Sequence, residues 1–372
     1  MPVFLPGKIK MKLALATAAV LSVLASGAAA QTTSPEPKWS LAIHGGAGVI
    51  ERANLSPERD VLYRQGLAEA LDAGSKVLDA GGSAMDAVEA AVQVLEGNPL
   101  FNAGRGAVFT SDGKNELDAA VMDGTTLEAG AVAGLTRTKS PISVARAVME
   151  KSPHVFLIGE GAETFARSVG AEAVEPGYFF TESRWQALLT LLRRRGDALP
   201  ARPVGAPPAP EVEGPAAPLA SLFEAPLNEE KYGTVGAVAR DAQGRIAAAT
   251  STGGVQGKQW GRVGDVPVIG AGTYASNKDG CAVSATGAGE YFIRSTVARD
   301  ICFRTASGMS VQAAADAEMA EVGELGGTGG VIVVGTDGAV AFSMNTSGMY
   351  RGEARQGQAA KVAIYGDERM DK

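Results

Sequence analysis

A threonine hydroxyl becomes a useful nucleophile only when a base takes its proton. The stretch EEKYGTVGAVARDAQGRIAAATSTGG, residues 229–254, offers two such hydroxyls, Thr234 and Thr252, with no histidine beside either. The chain has two histidines in all. His44 sits in a strand-end glycine turn and His154 in the helix-to-strand passage SPHVFLIG, and both read as structural. No G-x-S-x-G elbow occurs. The remaining way to activate a threonine is its own α-amine at a chain terminus. That amine has an unperturbed pKa of roughly 7.7–8.0 and is close to neutral at physiological pH. Thr234 is internal, so this chemistry requires a cut between Gly233 and Thr234, and Gly233 tolerates the strained backbone such a cut needs.

The element positioning these hydroxyls reads as a hairpin. TVGAVARDAQGRIAAATST alternates small and apolar residues on either side of the turn-rich tetrad Asp241-Ala242-Gln243-Gly244. A symmetric hairpin centred on Gln243 sets Thr234 directly opposite Thr252, with Cβ atoms roughly 5 Å apart. A bulge in either strand would move that register by one residue. The plain alternative is an ordinary Thr–Thr cross-strand contact.

Upstream, WSLAIHGGAG reads as a buried strand entering a glycine turn. Ser56-Pro57 opens a helix running to about Ala73. Ser83 and Asp86 form a capping-box pair for a second helix, whose Val88, Val92 and Leu95 recur at helical spacing. Residues 141–151 and 159–169 read as further helices. Gly196 to Pro218 holds seven of the eighteen prolines and no aromatic residue, which reads as an exposed linker extending to about residue 226. Strand patterns follow at 233–240, 246–252, 281–285, 331–335 and 339–345. Helical patterns lie between them, from about Glu290 to Ala306 and near Val311 to Val322.

The 372 residues are 45% hydrophobic and 20% charged with 48 glycines, a globular composition. A net charge of −7 gives no basic footprint for nucleic acid. Lys8, Lys10 and Lys12, an apolar run from Leu13 to Leu24, and Ala28-Ala29-Ala30 follow the order of a secretory signal cut after about Ala30. Met11 would open the same signal on its own. The alternative is a membrane anchor, although the run is shorter than the roughly 20 residues a span needs. The expected mature protein is exported, periplasmic and free of the membrane, and losing three lysines takes its charge from −7 to −10. Cys281 and Cys302 are the only cysteines, either a disulfide or a pair of small buried hydrophobes.

Taken together, the motifs resemble the plant-type asparaginase and isoaspartyl peptidase family of N-terminal-nucleophile hydrolases. The resemblance is carried by HGGAG (44–48), NPLFNAGRGAVFT (98–110), ELDAAVMDG (116–124), GTVGAVA (233–239), ATSTGG (249–254), GRVGD (261–265), TGAGE (286–290) and NTSGMYRG (345–352), in that order. It implies a four-layer αββα sandwich, one domain made of two chains. These would be an α subunit from Gln31 to Gly233 and a β subunit from Thr234 to Lys372, assembled as an (αβ)₂ heterotetramer. It implies that Thr234 is the nucleophile freed by autocleavage after Gly233, that Thr252 hydrogen-bonds it, and that Asn102 lies near the attacking centre. Thr286 and Gly287 would form the oxyanion hole. Arg262 and Asp265 would clamp the carboxylate and ammonium of the substrate, within a lining of Val263, Gly264, Ala288 and Gly289.

An arginine fork for a carboxylate and an aspartate for an ammonium also make chemical sense without the family. The family further implies a structural sodium ion on the backbone carbonyls of Leu95, Glu96, Asn98, Phe101, Ala103 and Arg105, with no cofactor for the chemistry. The implied reaction is hydrolysis of L-asparagine and β-aspartyl dipeptides to L-aspartate. Alternatives are a glycosylasparaginase, which shares the fold and nucleophile, and a non-catalytic exported amino-acid binding protein. Tyr232, Ala288 and Arg105, with one extra residue near Lys278–Gly280, depart from the family pattern without removing a catalytic group.

Overall fold

A computed structural model describes residues 38–209 and 233–370. The candidate signal segment, the tail to residue 37 and the stretch 210–232 lie outside the described residues. The chain enters on β1 (Ser40–Gly48) and turns into α1 (Pro57–Asp79), where Ser56 accepts the Arg59 N–H. The helix continues past Ala73 because Gly74 does not end it. A Cβ there would meet Leu41 Cδ2 at 2.7 Å, so the glycine lets the helix press against β1. Next comes α2 (Ala84–Gly97), started by the full Ser83–Asp86 capping box. β2 (Leu117–Asp123), β3 (Ala129–Leu135), α3 (Pro141–Lys151), β4 (Phe156–Ile158), α4 (Gly159–Ser168) and α5 (Glu182–Arg195) complete the first half.

The second half opens with β5 (Val235–Arg240), β6 (Ile246–Thr252), β7 (Thr273–Ser276) and β8 (Cys281–Gly287). The helical stretch expected from Glu290 to Ala306 is two helices, α6 (Gly289–Ser295) and α7 (Val297–Ala306). They are separated by Thr296 at φ +51°, in the left-handed region that helices exclude. α8 (Val311–Glu324), β9 (Gly329–Gly335), β10 (Val340–Met344), β11 (Gly348–Arg355) and β12 (Lys361–Tyr365) follow.

Strand alternation sorts these elements into four layers. One sheet runs β12-β11-β1-β5-β6-β2-β3-β4 and the other β10-β9-β8-β7. Leu41, Ile43, Ala237 and Ala249 of the large sheet bury against α1, α2 and α3. Their neighbours Ala42, Val238 and Ala248 point the other way and meet Ala282, Ile332 and Val334 of the small sheet. Cys281, Val283, Val331 and Val333 face outward from the small sheet onto α7 and α8. The result is the αββα sandwich expected from the motifs. Cys281 of β8 and Cys302 of α7 form a disulfide, with Cα atoms 5.4 Å apart, which decides between the two readings of that pair.

The proline-rich stretch departs from expectation. Its described part is not a free linker: Gly177 N–H donates to the Val204 carbonyl at 2.9 Å, and Arg202 pairs with Glu182 at the start of α5. The Arg202 guanidinium also lies 4.6 Å over the Phe180 ring, beside the cluster of Phe109, Trp185, Leu188 and Leu192. Prolines preorganise a chain at little entropic cost, and one arginine suffices to dock it. Arg202→Ala should therefore lower stability by about 1 kcal/mol through lost packing and pairing. A denaturation midpoint indistinguishable from wild type would make this docking energetically silent.

Candidate active site

The hairpin places the two threonines as its symmetry requires. Val235 pairs with Ser251, Gly236 with Thr250 and Arg240 with Ile246, one register without a bulge. Continuing it by one residue sets Thr234 against Thr252, and Thr234 Oγ1 donates to Thr252 Oγ1 at 3.1 Å. Thr252 Oγ1 also accepts the Gly254 N–H at 3.0 Å and donates to the Gly233 carbonyl at 3.0 Å, so its hydrogen-bonding capacity is used up.

The Gly233 carbonyl has a second donor. Asn102 Nδ2 reaches it at 2.7 Å and the Gly254 carbonyl at 2.8 Å, while Asn102 Oδ1 is fixed by the Val108 N–H. Asn102 is buried, and its amide orientation follows from these three partners. The peptide bond between Gly233 and Thr234 is thus held with its oxygen between two donors and a hydroxyl alongside.

The HGGAG turn makes room for this. β1 bulges at Gly45, where its pairing with β11 shifts between His44 and Gly46. Gly46 has φ +112°, and a Cβ on it would lie 3.1 Å from Gly233 Cα. Beyond the bulge the Ala47 N–H donates to Thr286 Oγ1 at 3.4 Å, bringing the end of β8, with Gly287, to the same turn. A cavity of about 550 Å³ opens here, lined by Gly45, Gly46, Asn102, Gly233, Thr328 and Tyr350 among others.

The GRVGD loop lies on the other side of Gly254, whose missing Cβ would sit 3.5 Å from Arg262 Nη1. Arg262 and Asp265 converge on Gly289: a Cβ there would meet Asp265 Oδ1 at 2.8 Å and Arg262 Nη2 at 2.9 Å. Asp265 is buried and its Oδ2 has no partner, and burial pushes its carboxyl up to about 7. The Arg262 fork is filled by Glu290, with Nε at 2.9 Å and Nη2 at 3.1 Å from its two oxygens. That hydrogen bonding holds the Glu290 carboxyl below its usual range. Val263 is exposed beside the fork, and Ala288 is buried with its N–H on the Thr328 carbonyl.

The loop after α2 closes on itself. Arg105 N–H donates to the Glu96 carbonyl at 2.7 Å, enclosing Asn98, Phe101 and Ala103, with Leu95 one residue before the ring. The Glu96 side chain is buried behind the site and accepts from Ser251 Oγ, Ser140 Oγ and Ile142 N–H at 2.6, 2.7 and 3.0 Å. Burial nevertheless raises its carboxyl to about 7. Glu96 thereby braces Ser251, the neighbour of Thr252, a role its helical position did not suggest.

His44 is the other residue whose place the sequence left bland. It is fully buried, with Nδ1 3.1 Å from the Thr234 carbonyl and Nε2 2.8 Å from Ser284 Oγ. Burial lowers its imidazole from 6.5 to about 3. The available signal was a histidine inside the apolar run LAIHGG, where a polar group must find partners. Unfolding frees the imidazole to take up a proton below about 6.5, so its share of stability is full above that pH and lost as pH falls toward 3. Glu96 and Asp265 act oppositely, their share being full in acid and lost as pH rises to about 7. His44→Asn, which does not titrate, isolates the imidazole. Between pH 6.5 and 5 wild type should lose on the order of 2 kcal/mol more than this variant. Parallel unfolding curves at both pH values would show that the imidazole is already charged in the fold.

Known proteins resemble this chain over most of its length. The profile of a family described as asparaginase matches residues 37–364. An isoaspartyl peptidase from Salmonella typhimurium is 48% identical over 331 residues, covering 88% of this chain and 99% of the relative. An isoaspartyl peptidase from Escherichia coli is 47% identical, covering 88% of this chain and 96% of the relative. A plant-type L-asparaginase from Pyrococcus furiosus is 42% identical, covering 83% and 94%. With a matched segment spanning both sheets and all the residues gathered around Thr234, the chain belongs to the asparaginase family.

Proposed function

We propose that the protein is an autocatalytically processed threonine hydrolase that cleaves the side-chain amide of L-asparagine and of β-aspartyl dipeptides. The observation that carries this reading is the Gly233–Thr234 junction. Its carbonyl oxygen lies between Asn102 Nδ2 and Thr252 Oγ1, and the Thr234 hydroxyl is hydrogen-bonded to the same Thr252. Two donors on that oxygen stabilise the negative charge that develops when Thr234 Oγ1 attacks the carbonyl carbon. The hydroxyl proton passes to the departing Thr234 nitrogen as the C–N bond breaks and an ester forms on Oγ1. Water then releases the Gly233 carboxylate, leaving the free Thr234 amine and hydroxyl. The relatives named isoaspartyl peptidase and plant-type L-asparaginase support the substrate class.

In turnover the freed amine takes the hydroxyl proton, Oγ1 attacks the side-chain amide carbon, and ammonia or an amine leaves with that proton. Thr286 Oγ1 already accepts the Ala47 N–H, which leaves its own proton for the developing oxyanion, together with the Gly287 N–H. Water hydrolyses the β-aspartyl ester to L-aspartate. Arg262 holds the α-carboxylate in the place Glu290 occupies here, and Asp265 takes the α-ammonium with Oδ1, the oxygen that faces Gly289 beside Arg262. Val263, Gly264, Ala288 and Gly289 line this clamp.

The loop closed from Glu96 to Arg105 fits a monovalent cation. Its carbonyl oxygens are neutral ligands, and those of Leu95, Glu96 and Asn98, which each accept one N–H, keep a second lone pair for an ion. Sodium there would stiffen the segment carrying Asn102. Export through the N-terminal signal and assembly as (αβ)₂ complete the proposal.

Thr234→Ala should give one uncut, inactive chain by intact mass, and Thr234→Ser should still cut. Splitting after Gly233 in the alanine variant would refute autocleavage. Turnover of β-aspartyl-leucine well above that of a glycosylated asparagine separates the proposal from a glycosylasparaginase. The clamp has its own signature. Because Asp265 must be charged to hold an ammonium, KM for L-asparagine should rise as pH falls below about 7. Asp265→Asn should have a high KM without that pH dependence. Arg262→Lys keeps the charge but loses the fork, and should lower kcat/KM by roughly 1.5–3 kcal/mol while maturation survives.

A further inference from the structure

Among the described residues, a continuous line of buried polar side chains crosses the largely apolar interface between the two sheets. Strand alternation points His44, Thr250, Thr273 and Ser284 into that layer, beside Ala42, Ala248, Ala275 and Ala282. All four are fully buried and joined end to end. The Thr234 carbonyl meets His44 Nδ1 at 3.1 Å, His44 Nε2 meets Ser284 Oγ at 2.8 Å, and Ser284 Oγ meets Thr250 Oγ1 at 2.7 Å. Thr273 Oγ1 then lies 2.7 Å from Thr250 Oγ1 and 3.0 Å from the Val266 carbonyl, next to Asp265.

Counting protons gives this line a direction. A carbonyl only accepts, so Nδ1 must carry the proton that reaches Thr234. A neutral imidazole then has a bare Nε2, and Ser284 must donate to it. Three hydroxyl protons serve the four contacts from Nε2 to Val266. The first is committed to the histidine, and the Thr250 proton goes to Ser284 at 2.7 Å rather than to the Gly272 carbonyl at 3.5 Å. Every link from Thr250 to Thr234 therefore has one assigned donor, and the imidazole tautomer is not free to change.

The geometry points to His44 as a positioning residue for the Thr234 nucleophile. β1 pairs with β5 only as far as His44 and Gly236 before the bulge carries it away, so no strand partner from β1 reaches Thr234. The His44 N–H takes that place on the Thr234 carbonyl. Once Gly233 is cut away, residue 234 is a strand end, and the rotation about its Cα–C bond aims both the amine and Oγ1. A hydrogen bond on its carbonyl restrains that rotation. This rests on Thr234 being the nucleophile.

Two variants separate positioning from mere structure. The amide nitrogen of asparagine reaches the place of Nδ1, whereas glutamine reaches that of Nε2. His44→Gln can keep the Ser284 contact and lose the Thr234 one, so kcat for β-aspartyl-leucine should fall at least tenfold with KM within about twofold. His44→Asn keeps the donor to Thr234 and should recover most of that loss, although it abandons Ser284. If asparagine loses as much as glutamine, or the loss falls on KM, the positioning role is wrong. Histidine ¹⁵N spectra of the wild type, with only two histidines in the chain, give an independent readout. His44 should show a protonated Nδ1 and a bare Nε2 from pH 5 to 8. The opposite tautomer would overturn the proposal even in a variant that fails to mature. Thr234→Ala serves as the control. If it stays active, the nucleophile assignment has failed and the histidine results do not bear on it.

Discussion

The site depends on a register, and the register is pinned at the far end of the hairpin. Asp241 is fully buried in the β5–β6 turn, where Oδ1 accepts the N–H groups of Gln243 and Arg245, each at 3.0 Å. Its Oδ2 takes Arg245 Nε at 2.7 Å and the Ala84 N–H at 3.1 Å, at the start of α2. A buried carboxylate is tolerable only with such a full set of donors, and a helix N-terminus is a favourable place for it. A slip of one residue would turn every side chain to the opposite face. Thr234 would then face the helices, and Thr252 could not reach it.

From that register the polar chemistry is distributed by depth. The hydroxyl-bearing residues Thr234 and Thr286 lie against the HGGAG turn, with Thr252 behind Thr234. Thr250, Thr273, Ser284 and His44 fill a seam in a layer otherwise made mostly of alanine, with valine, isoleucine and methionine. Small side chains dominate there because the two sheets press close together, and the same closeness lets short hydroxyls touch one another. Glu96 and Asp265, outside that layer, show the cost of dryness, since burial is the main cause lifting both carboxyls to about 7.

Much of this was legible because it is local. The hairpin symmetry about Gln243 by itself sets Thr234 opposite Thr252, and the Ser83–Asp86 box marks the start of α2. What escaped depends on distant partners. Gly74 looks like a helix end until Leu41 is seen against it, and Thr296 interrupts a pattern that reads as one helix. α5 carries Trp185, Leu188 and Leu192 on one face, a readable spacing overshadowed by the prolines that follow. Arg202 docks that proline-rich chain through a ring and a carboxylate far from it in composition but close in space. His44 reads as structural from its strand-end glycine turn, and only the fold shows that its partner is the Thr234 carbonyl.

The order of the large sheet bears on what a break at Gly233 would leave behind. β1, β2, β3 and β4 precede that bond and β5, β6, β11 and β12 follow it, yet β1 lies between β11 and β5, and β2 lies against β6. The two pieces are threaded through each other in the large sheet. The first keeps β2-β3-β4 but leaves β1 stranded between β11 and β5, and the second keeps the small sheet, so neither can rebuild the large sheet alone. An intact chain searches for this arrangement as one molecule, at a rate independent of concentration. Separated halves would have to meet first, each exposing bare strand edges that invite aggregation. Processing would then act as a ratchet: the molecule is assembled once, while joined, and afterwards persists by the slowness of coming apart rather than by any ability to form again.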